Sequence, residues 1–254
     1  MQKFFITLDE FENRVLTKDT SFQLINVLRS KVDDQFLVGV IDKTYLVQIS
    51  KIENKLVAFE VIEEKTGNSE LPFFVSLFQG YPKGDKLENI IKYGTQLGVH
   101  EFHPTLMKRS VFKLDSNKKD NKLERFNKIA KEAAEQSFRN VCPVVVDIKQ
   151  LSKIDFSEYD VKILCYEESA KNDETSAFKR IVKSINANDK IAVVVGPEGG
   201  IAPEEVDYLT NKGFISVGLG PRILRTETVV FYVLSTLSYE WELKWWIKKL
   251  DFKH

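Results

Sequence analysis

Two short glycine-rich turns late in the chain have residue types that can hold a small molecule. The first, GPEGG at 196–200, follows the apolar run Val193–Val195. The second, GLGPRILRTET at 218–228, follows another short apolar run. Glycine permits backbone angles closed to other residues and lets a ligand approach the main chain, while proline stiffens a turn. Two such turns at the ends of neighbouring strands would present backbone N–H and C=O groups to one ligand.

The second turn also carries charges that a plain turn does not need. Arg222, Arg225 and Glu227 lie beside Ile223 and lead into a long apolar segment. A glycine-rich turn alone is common between elements, so the pair of turns with its charges is the stronger indication of a site. There is no G-x-x-x-x-G-K-[ST] run, and Ile223 stands where the third glycine of a G-x-G-x-x-G fingerprint would be. These patterns disfavour a nucleoside triphosphate or dinucleotide site.

A metal site and a hydrolase triad are both poorly supported. His100 and His103 have an H-x-x-H spacing, but neither a C-x-x-C nor a third histidine is nearby. Zinc sites usually need three or four protein ligands, so we expect no metal. The one other histidine is His254, which leaves little basis for a Ser-His-Asp arrangement.

Composition restricts the possible partners and the compartment. Of 254 residues, 43% are hydrophobic and 29% are charged, and 37 basic residues balance 37 acidic ones. Zero net charge argues against strong nonspecific nucleic-acid binding, so any RNA contact must come from local patches. No apolar run reaches the roughly 18 residues of a membrane helix. Cys142 and Cys165 belong to no C-x-x-C, and we expect them to be buried, reduced thiols of a cytoplasmic protein.

Residues 1–70 predict a small, mainly β domain. Strands over 35–41, 45–49 and 56–62 are rich in Val, Ile, Phe and Tyr. A helix starting near Asp19 would carry Leu24, Val27 and Leu28 at helical spacing. The polar stretch 63–70, just before Pro72, is typical of a linker.

From Pro72 on, the pattern alternates between strands and helices. Such alternation predicts an α/β domain with a parallel sheet covered on both faces, in which ligands bind beyond the carboxyl ends of the strands. Both glycine-rich turns follow predicted strands. The predicted strands are 73–78, 99–105, 144–146, 161–166, 191–195 and 215–219, and the predicted helices are 83–97, 120–138, 174–186, 203–212 and 226–248. The last helix is apolar on more than one face, which fits either core packing or a subunit interface.

Several motifs in a fixed order resemble those of one protein family. The two glycine-rich turns are preceded by VLR at 27–29, KGDK at 83–86, RSV at 109–111, and EAAEQS at 132–137 with Arg139. Together they cover nearly the whole chain. The sequence thus resembles the RsmE-type 16S ribosomal RNA (uracil-N3)-methyltransferases of the SPOUT superfamily.

The resemblance implies a two-domain enzyme that uses S-adenosylmethionine. Residues 1–70 would be a PUA-like RNA-binding domain. Residues 71–254 would be a SPOUT methyltransferase domain with a trefoil knot, which forms a homodimer through this C-terminal part. The implied substrate is a uridine of 16S rRNA in the 30S subunit. The candidate RNA-binding residues are Arg29 of the N-terminal motif and, from local basic patches, Lys83, Lys86, Lys92 and Arg109.

The resemblance also assigns residues to the site. The cofactor-binding residues would be Gly196, Pro197, Glu198, Gly199, Gly200, Leu219, Gly220, Ile223, Leu224 and Thr228. The N3 nitrogen of uracil must lose a proton, so a cation should stabilise the anion and a carboxylate should accept the proton. Arg139 or Arg225 could be the cation, and Glu198 or Glu227 the acceptor. Each has a structural alternative: Arg225 and Glu227 could pair, Glu198 could cap a helix, and Arg139 could hold phosphate.

The chain departs from the family pattern at four positions. Gln23 stands near a usual histidine, Gln96 replaces a glutamate, Phe126 a tryptophan and Val229 an alanine. Two alternatives to uracil methylation therefore stay open. One is a SPOUT methyltransferase that modifies another base or a ribose 2′-hydroxyl. The other is a non-catalytic RNA-binding or ribosome-assembly protein.

Overall fold

The computed structural model describes residues 1–111, 119–168 and 175–243, which fall into two compact units. The first unit consists of Met1–Glu70 and Lys131–Cys142, and the second of the remaining described residues. The division after Glu70 coincides with the predicted domain boundary. The segment Lys131–Cys142, which we placed in the second domain, clusters with the first unit.

The first unit is built on a four-stranded sheet with the order β1-β2-β3-β4. Strand β1 runs parallel to β2, and β2, β3 and β4 form an antiparallel meander. The sequence predicted the three long strands but missed β1 and the first helix, and β4 continues into the stretch predicted as a linker. The elements are β1 (Lys3–Phe5), α1 (Leu8–Asn13), α2 (Lys18–Phe22), β2 (Gln35–Val40), β3 (Lys43–Glu53) and β4 (Leu56–Lys65).

The predicted helix near Asp19 is present but changes its geometry after one turn. Residues Gln23–Val27 form a π-helical turn directly after α2. A π turn holds an extra residue and breaks the 3.6-residue repeat. Leu24 is therefore buried at 1% exposure, whereas Val27 is 65% exposed and Leu28 is also exposed.

The second unit contains a sheet of seven strands in which all pairings are parallel. Its strand order is β11-β9-β10-β5-β6-β7, with β8 also paired to β6. The predicted α/β class is confirmed. The strands are β5 (Phe74–Gly80), β6 (Glu101–Leu106), β7 (Val144–Val145), β8 (Lys149–Gln150), β9 (Val161–Cys165), β10 (Lys190–Val195) and β11 (Ile215–Val217). The helices are α3 (Lys86–Gln96), α4 (Lys119–Gln136), α5 (Thr175–Ser184), α6 (Pro203–Asn211) and α7 (Thr226–Ser238).

Both faces of this sheet are buried, as its continuous apolar strands require. Along β5 and β10, Leu77 and Val193 belong to one core cluster, while Phe78 and Val194 belong to another. Alternate side chains of a strand point to opposite faces, so the two clusters lie on the two sides of the sheet. The strands are thereby fixed in register, and the turns at their ends rest on a rigid base.

The last described helix packs its apolar stripe into the core. Val230, Val233, Leu234 and Leu237 of α7 are all buried. A π turn at Tyr239–Leu243 follows, and the predicted helix beyond residue 243 lies outside the described residues. Within the described ranges, the helices are too short or too polar to traverse a lipid bilayer.

Candidate functional site

The two glycine-rich turns meet beside a cavity at the carboxyl ends of three adjacent strands. Strands β9, β10 and β11 end at Cys165, Val195 and Val217, and the turns that follow them enclose about 680 Å³. This is the position at which open parallel sheets bind ligands. The sequence argument that placed both turns at one site is therefore supported by the sheet order.

Close packing fixes the turn at 196–200. A Cβ atom added to Gly80, the last residue of β5, would lie 2.5 Å from Pro197 Cδ. On the other side, Arg109 Nη1 donates a hydrogen bond of 3.0 Å to Gly199 O, and Gly200 has a positive φ of 72°. Glycine at positions 80 and 200 thus permits a path that other residues would obstruct or strain.

A buried clip joins the two turns. Thr226 Oγ1 donates to Gly196 O at 2.7 Å, and Gln79 Nε2 donates to Thr226 Oγ1 at 2.9 Å. Gln79 Nε2 also lies 3.3 Å from Gly196 O. The start of α7 is therefore tied to the ends of β10 and β5. Sequence reasoning missed Gln79 and Thr226, because their partnership exists only once these strands are neighbours.

Nine of the ten predicted cofactor residues line the cavity. They are Gly196, Pro197, Glu198, Gly199, Gly200, Leu219, Gly220, Ile223 and Leu224. Thr228 does not line it and is exposed, whereas Thr226 does. Because α7 begins at Thr226, residue 228 is rotated by about 200° around the helix axis. The threonine on the cavity wall is therefore Thr226 rather than Thr228.

Two carboxylates share one lysine at the edge of the cavity. Lys86 Nζ, in the first turn of α3, lies 2.9 Å from Glu198 Oε1 and 3.9 Å from Glu227 Oε2. The backbone N–H of Lys83 also donates to Glu198 at 3.1 Å. Burial raises the pKa of Glu198, but the hydrogen bonds from Lys86 and Lys83 outweigh it, so this pKa lies below its ordinary value. Glu198 is thus held as a carboxylate.

The two glutamates differ in what they face. Glu198 lines the cavity, while Glu227 does not. Glu227 Oε2 is buried without a hydrogen-bond partner among the described residues, and its distance to Lys86 exceeds hydrogen-bond length. The alternative pairing of Glu227 with Arg225 is not formed. Lys86, predicted to bind RNA, is instead engaged by these carboxylates.

The turn from 221 to 225 forms the open rim of the cavity. Arg222, Ile223 and Arg225 line the cavity and are exposed, and Ile223 is 86% exposed. Within the part of the chain that the structure describes, the side chain of neither arginine has a hydrogen bond or an ion pair. Arg225 also occupies the N-cap position of α7 with an extended backbone. A cation is thus available at the rim.

Arg139, the other candidate cation, belongs to the first unit. Its guanidinium pairs with Glu70, and the two side chains are only 3% and 8% exposed. Glu70 also accepts hydrogen bonds from the backbone N–H groups of Asn140 and Val141. A guanidinium committed to a buried carboxylate has its charge neutralised, so this geometry favours a structural role over the predicted catalytic one.

The remaining predicted RNA-binding residues are on the surface. Arg29, Lys83, Lys92 and Arg109 are all exposed. Arg29 has a positive φ of 57° after the π turn. Arg109 is only partly available, since its guanidinium contacts Gly199 O. These positions are compatible with RNA contact, which stays a prediction.

The histidines and cysteines have other partners. His100 Nδ1 accepts a hydrogen bond from Val75 N, and His103 Nε2 lies 3.0 Å from Glu101 Oε2. Among the described residues there is no cluster of three or more potential metal ligands. Neither Cys142 nor Cys165 forms a disulfide with another described residue, both are partly buried, and burial raises the pKa of their thiols to about 11 and about 12. Cys165 lines the cavity as a neutral thiol.

The four departures from the family pattern lie in different surroundings. Phe126 is buried in the core, and Val229 lines the cavity. Gln23 begins the π turn, and both Gln23 and Gln96 are exposed. Only Val229 can therefore change the shape of the cavity directly.

Comparisons with known proteins agree with this geometry. The family described as RNA methyltransferase domain matches residues 69–238. Ribosomal RNA small subunit methyltransferase E of Bacillus subtilis is 43% identical over 96% of this chain and 98% of its own length. The protein of that name from Mesomycoplasma hyopneumoniae is 30% identical over 92% and 98%.

A solved structure of a relative has a similar fold. The crystal structure of ribosomal RNA small subunit methyltransferase E from Neisseria gonorrhoeae bound to S-adenosyl methionine is 25% identical. It covers 95% of this chain and 98% of its own, with a TM-score of 0.79. The match extends over both compact units. The chain belongs to the ribosomal RNA small subunit methyltransferase E family of RNA methyltransferases.

Proposed function

We propose that this protein transfers a methyl group to N3 of a specific uridine in the 16S rRNA of the small ribosomal subunit. The observation that carries the proposal is the cavity at the ends of β9, β10 and β11. There, two turns joined by the Thr226 hydrogen bond bring a fixed carboxylate, Glu198, and an unpaired cation, Arg225, to the lining of one cavity.

S-adenosylmethionine is the methyl donor, and the cavity suits it. When bound, it supplies an electrophilic methyl group on a sulfonium centre. The wall offers apolar side chains from Val217, Leu219 and Leu224. At Gly220, with φ of 109°, no atom lies within 4 Å of an added Cβ, so the backbone is open to a ligand. The Glu198 carboxylate provides the negative charge that a sulfonium favours.

The chemistry needs a proton acceptor and a stabilised anion. Glu198 is the candidate carboxylate on the cavity wall, and we assign it the uracil N3 proton. Arg225 would stabilise the negative charge that the ring oxygens acquire, because its guanidinium is unpaired at the rim. The N3 electron pair then forms the bond to the methyl carbon, and the electron pair of the carbon–sulfur bond stays on sulfur.

Substrate presentation would involve the first unit. Its β-rich sheet and exposed Arg29 support a PUA-like RNA-binding role, with Lys83, Lys92 and Arg109 as further contacts in the second unit. We place the reaction in the cytoplasm, where ribosomal subunits are found.

Two architectural features of the family are part of the proposal. We include a trefoil knot because of the family to which the chain belongs, and the return of the chain from edge strand β11 to the ends of β10 and β5 is compatible with it. A homodimer is supported by exposed apolar side chains on α7 and the π turn after it, namely Tyr232, Tyr239 and Leu243. Light scattering after size exclusion measures the second feature directly.

Tritiated methyl transfer onto 30S subunits lacking the modification tests the proposed activity. Nucleoside analysis by mass spectrometry should then give 3-methyluridine at one position. A methylated ribose or another base would overturn the N3 assignment while keeping the methyltransferase. Binding of 30S subunits without any incorporation would identify a non-catalytic protein.

A further inference from the structure

The rim turn of the cavity presents an isoleucine almost entirely to solvent. At 86%, Ile223 has the largest exposed fraction among the large hydrophobic side chains of the described residues. A single exposed apolar residue needs no explanation by itself. Ile223, however, lines the mouth of the candidate site, two residues after the rigid Pro221.

A free cation stands next to this isoleucine. Arg222 is exposed and, within the described ranges, has no hydrogen bond or ion pair. The basic residues deeper in the site are engaged, since Lys86 contacts Glu198 and Arg109 contacts Gly199 O. Arg222 is thus a free cation at the mouth, with a geometry suited to phosphate.

The proposed reaction requires such a pair. N3 of uracil lies on the edge that pairs with another base, and enzymes that modify bases take them out of the stack. Proteins that unstack nucleic acid insert apolar wedges, including isoleucine, and hold the strand by its phosphates. A base can enter the cavity only after it has left the base stack, and it must leave the stack at the mouth of the cavity.

Resting on the proposed function, we propose that Ile223 is a wedge that occupies the stack beside the extruded uridine and that Arg222 binds an adjacent phosphate of the RNA strand. In this role, the Ile223 side chain would contact the RNA substrate and would not cover the bound cofactor. Arg225 keeps its separate role at the reacting base.

The wedge is tested with Ile223→Ser, Ile223→Met and the control Ile215→Ser. Ile215 is also exposed, at 52%, but lies on edge strand β11 at the start of the strand. Single-turnover methyl transfer to 30S subunits at saturating cofactor should fall on the order of 10- to 100-fold for Ile223→Ser. Ile215→Ser should stay within about 3-fold of the unmodified protein, and Ile223→Met should keep more activity than Ile223→Ser, because methionine is also an apolar wedge.

A readout without methyl transfer completes the test. An RNA hairpin carrying 2-aminopurine in place of the mapped uridine should fluoresce more strongly when the unmodified protein or Ile223→Met binds, and not when Ile223→Ser binds. Calorimetry should give Ile223→Ser the S-adenosylmethionine affinity of the unmodified protein within about 3-fold. A large loss of cofactor affinity, with the fluorescence rise retained, would overturn the wedge in favour of a cofactor cover.

Arg222 is tested through the salt dependence of RNA binding. Arg222→Ala should weaken 30S binding and lower the slope of log affinity against log salt by about 1. Lys190 lies at the amino end of β10, away from the cavity. Lys190→Ala is therefore the control, and it should leave the slope unchanged. An unchanged slope for Arg222→Ala would overturn the phosphate contact. Failure of the proposed function is distinguishable, because it would show as no methyl transfer by the unmodified protein.

Discussion

At the scale of single residues, Glu198 and Glu227 have different surroundings, although both lie near Lys86. Glu198 is 2.9 Å from Lys86 Nζ, receives the Lys83 N–H, and lines the cavity. Glu227 is 3.9 Å from the same nitrogen and lies off the wall. Glu198 can therefore reach a substrate directly, whereas Glu227 acts on the site only through Lys86.

The two glutamine variants should separate these roles. Glu198→Gln should lower kcat by about 100-fold or more, because general-base catalysis contributes on this order. Glu227→Gln should lower kcat less than 10-fold, roughly the effect of a neighbouring charge at the edge of the site. Stopped assays with 30S subunits at saturating cofactor measure both. Full turnover by Glu198→Gln would remove it as the proton acceptor, and a larger loss in Glu227→Gln would reverse the assignment.

Gly80 offers a second prediction at this scale. In Gly80→Ala, the new methyl would lie 2.5 Å from Pro197 Cδ and 2.6 Å from Pro197 N, so the turn at 196–200 must move. Overpacking of this kind costs about 1–3 kcal/mol. We expect a lower free energy of unfolding together with at least about 10-fold weaker cofactor binding by calorimetry. Gly67→Ala, with no atom within 4 Å of the added Cβ and a position outside the cavity, should leave cofactor affinity unchanged within about 3-fold, whatever the strain at its φ of 153° costs in stability. Equally weak cofactor binding by both variants would contradict the packing argument.

At the scale of elements, the sequence predicts which segments form strands and which form helices. It does not always predict the detailed geometry of these elements. The apolar runs of β5, β9 and β10 and the spacing in α3 and α6 were enough to predict an α/β domain with its site at the carboxyl ends. Local patterns could not reveal the π turn after α2, because it depends on how Leu24 packs. They also could not reveal the clip of Thr226 and Gln79, which are 147 residues apart.

A polar cluster on β5 and β6 is expected to make the free energy of unfolding depend on pH. Glu101 Oε2 accepts a hydrogen bond of 3.0 Å from His103 Nε2 and one of 3.2 Å from Ser76 Oγ. The hydrogen bond from His103 is the main cause that lowers the pKa of Glu101 from 4.5, outweighing the burial that raises it. The ionised form is favoured on folding, so this stabilisation is complete above the unfolded pKa and is lost as pH falls through the lower folded value.

Urea unfolding at pH 7 and at pH 3.5 measures this effect. The unmodified protein should lose more stability between the two values than Glu101→Gln, which cannot ionise. Glu158→Gln is the matched control, because Glu158 forms a mostly exposed pair with Lys190. Its pH dependence should resemble that of the unmodified protein. Identical losses in the unmodified protein and Glu101→Gln would contradict the assignment.

At the scale of the whole molecule, the first unit is assembled from two distant stretches of chain. Lys3 Nζ donates to Arg139 O at 2.6 Å and to Thr44 Oγ1 at 2.7 Å, and Arg139 pairs with Glu70. Burial lowers the pKa of Lys3 to about 8, with Glu70 opposing the change. A domain boundary drawn along the sequence could not include residues 131–142, because these contacts span more than sixty positions.

Arg139 therefore provides the sharpest contrast between a chemical and a structural role. Arg139→Met removes the guanidinium that pairs with the buried Glu70 carboxylate, which should cost about 3–5 kcal/mol of unfolding free energy. Arg125→Met is the control, since the guanidinium of Arg125 is 65% exposed in its pair with Glu88 and should cost at most about 1 kcal/mol. Combining Arg139→Met with Glu70→Gln should recover part of the loss, because the buried charge is then gone. A catalytic Arg139 would give the opposite result: denaturant unfolding would be nearly unchanged, while kcat per folded molecule would fall by about 100-fold or more.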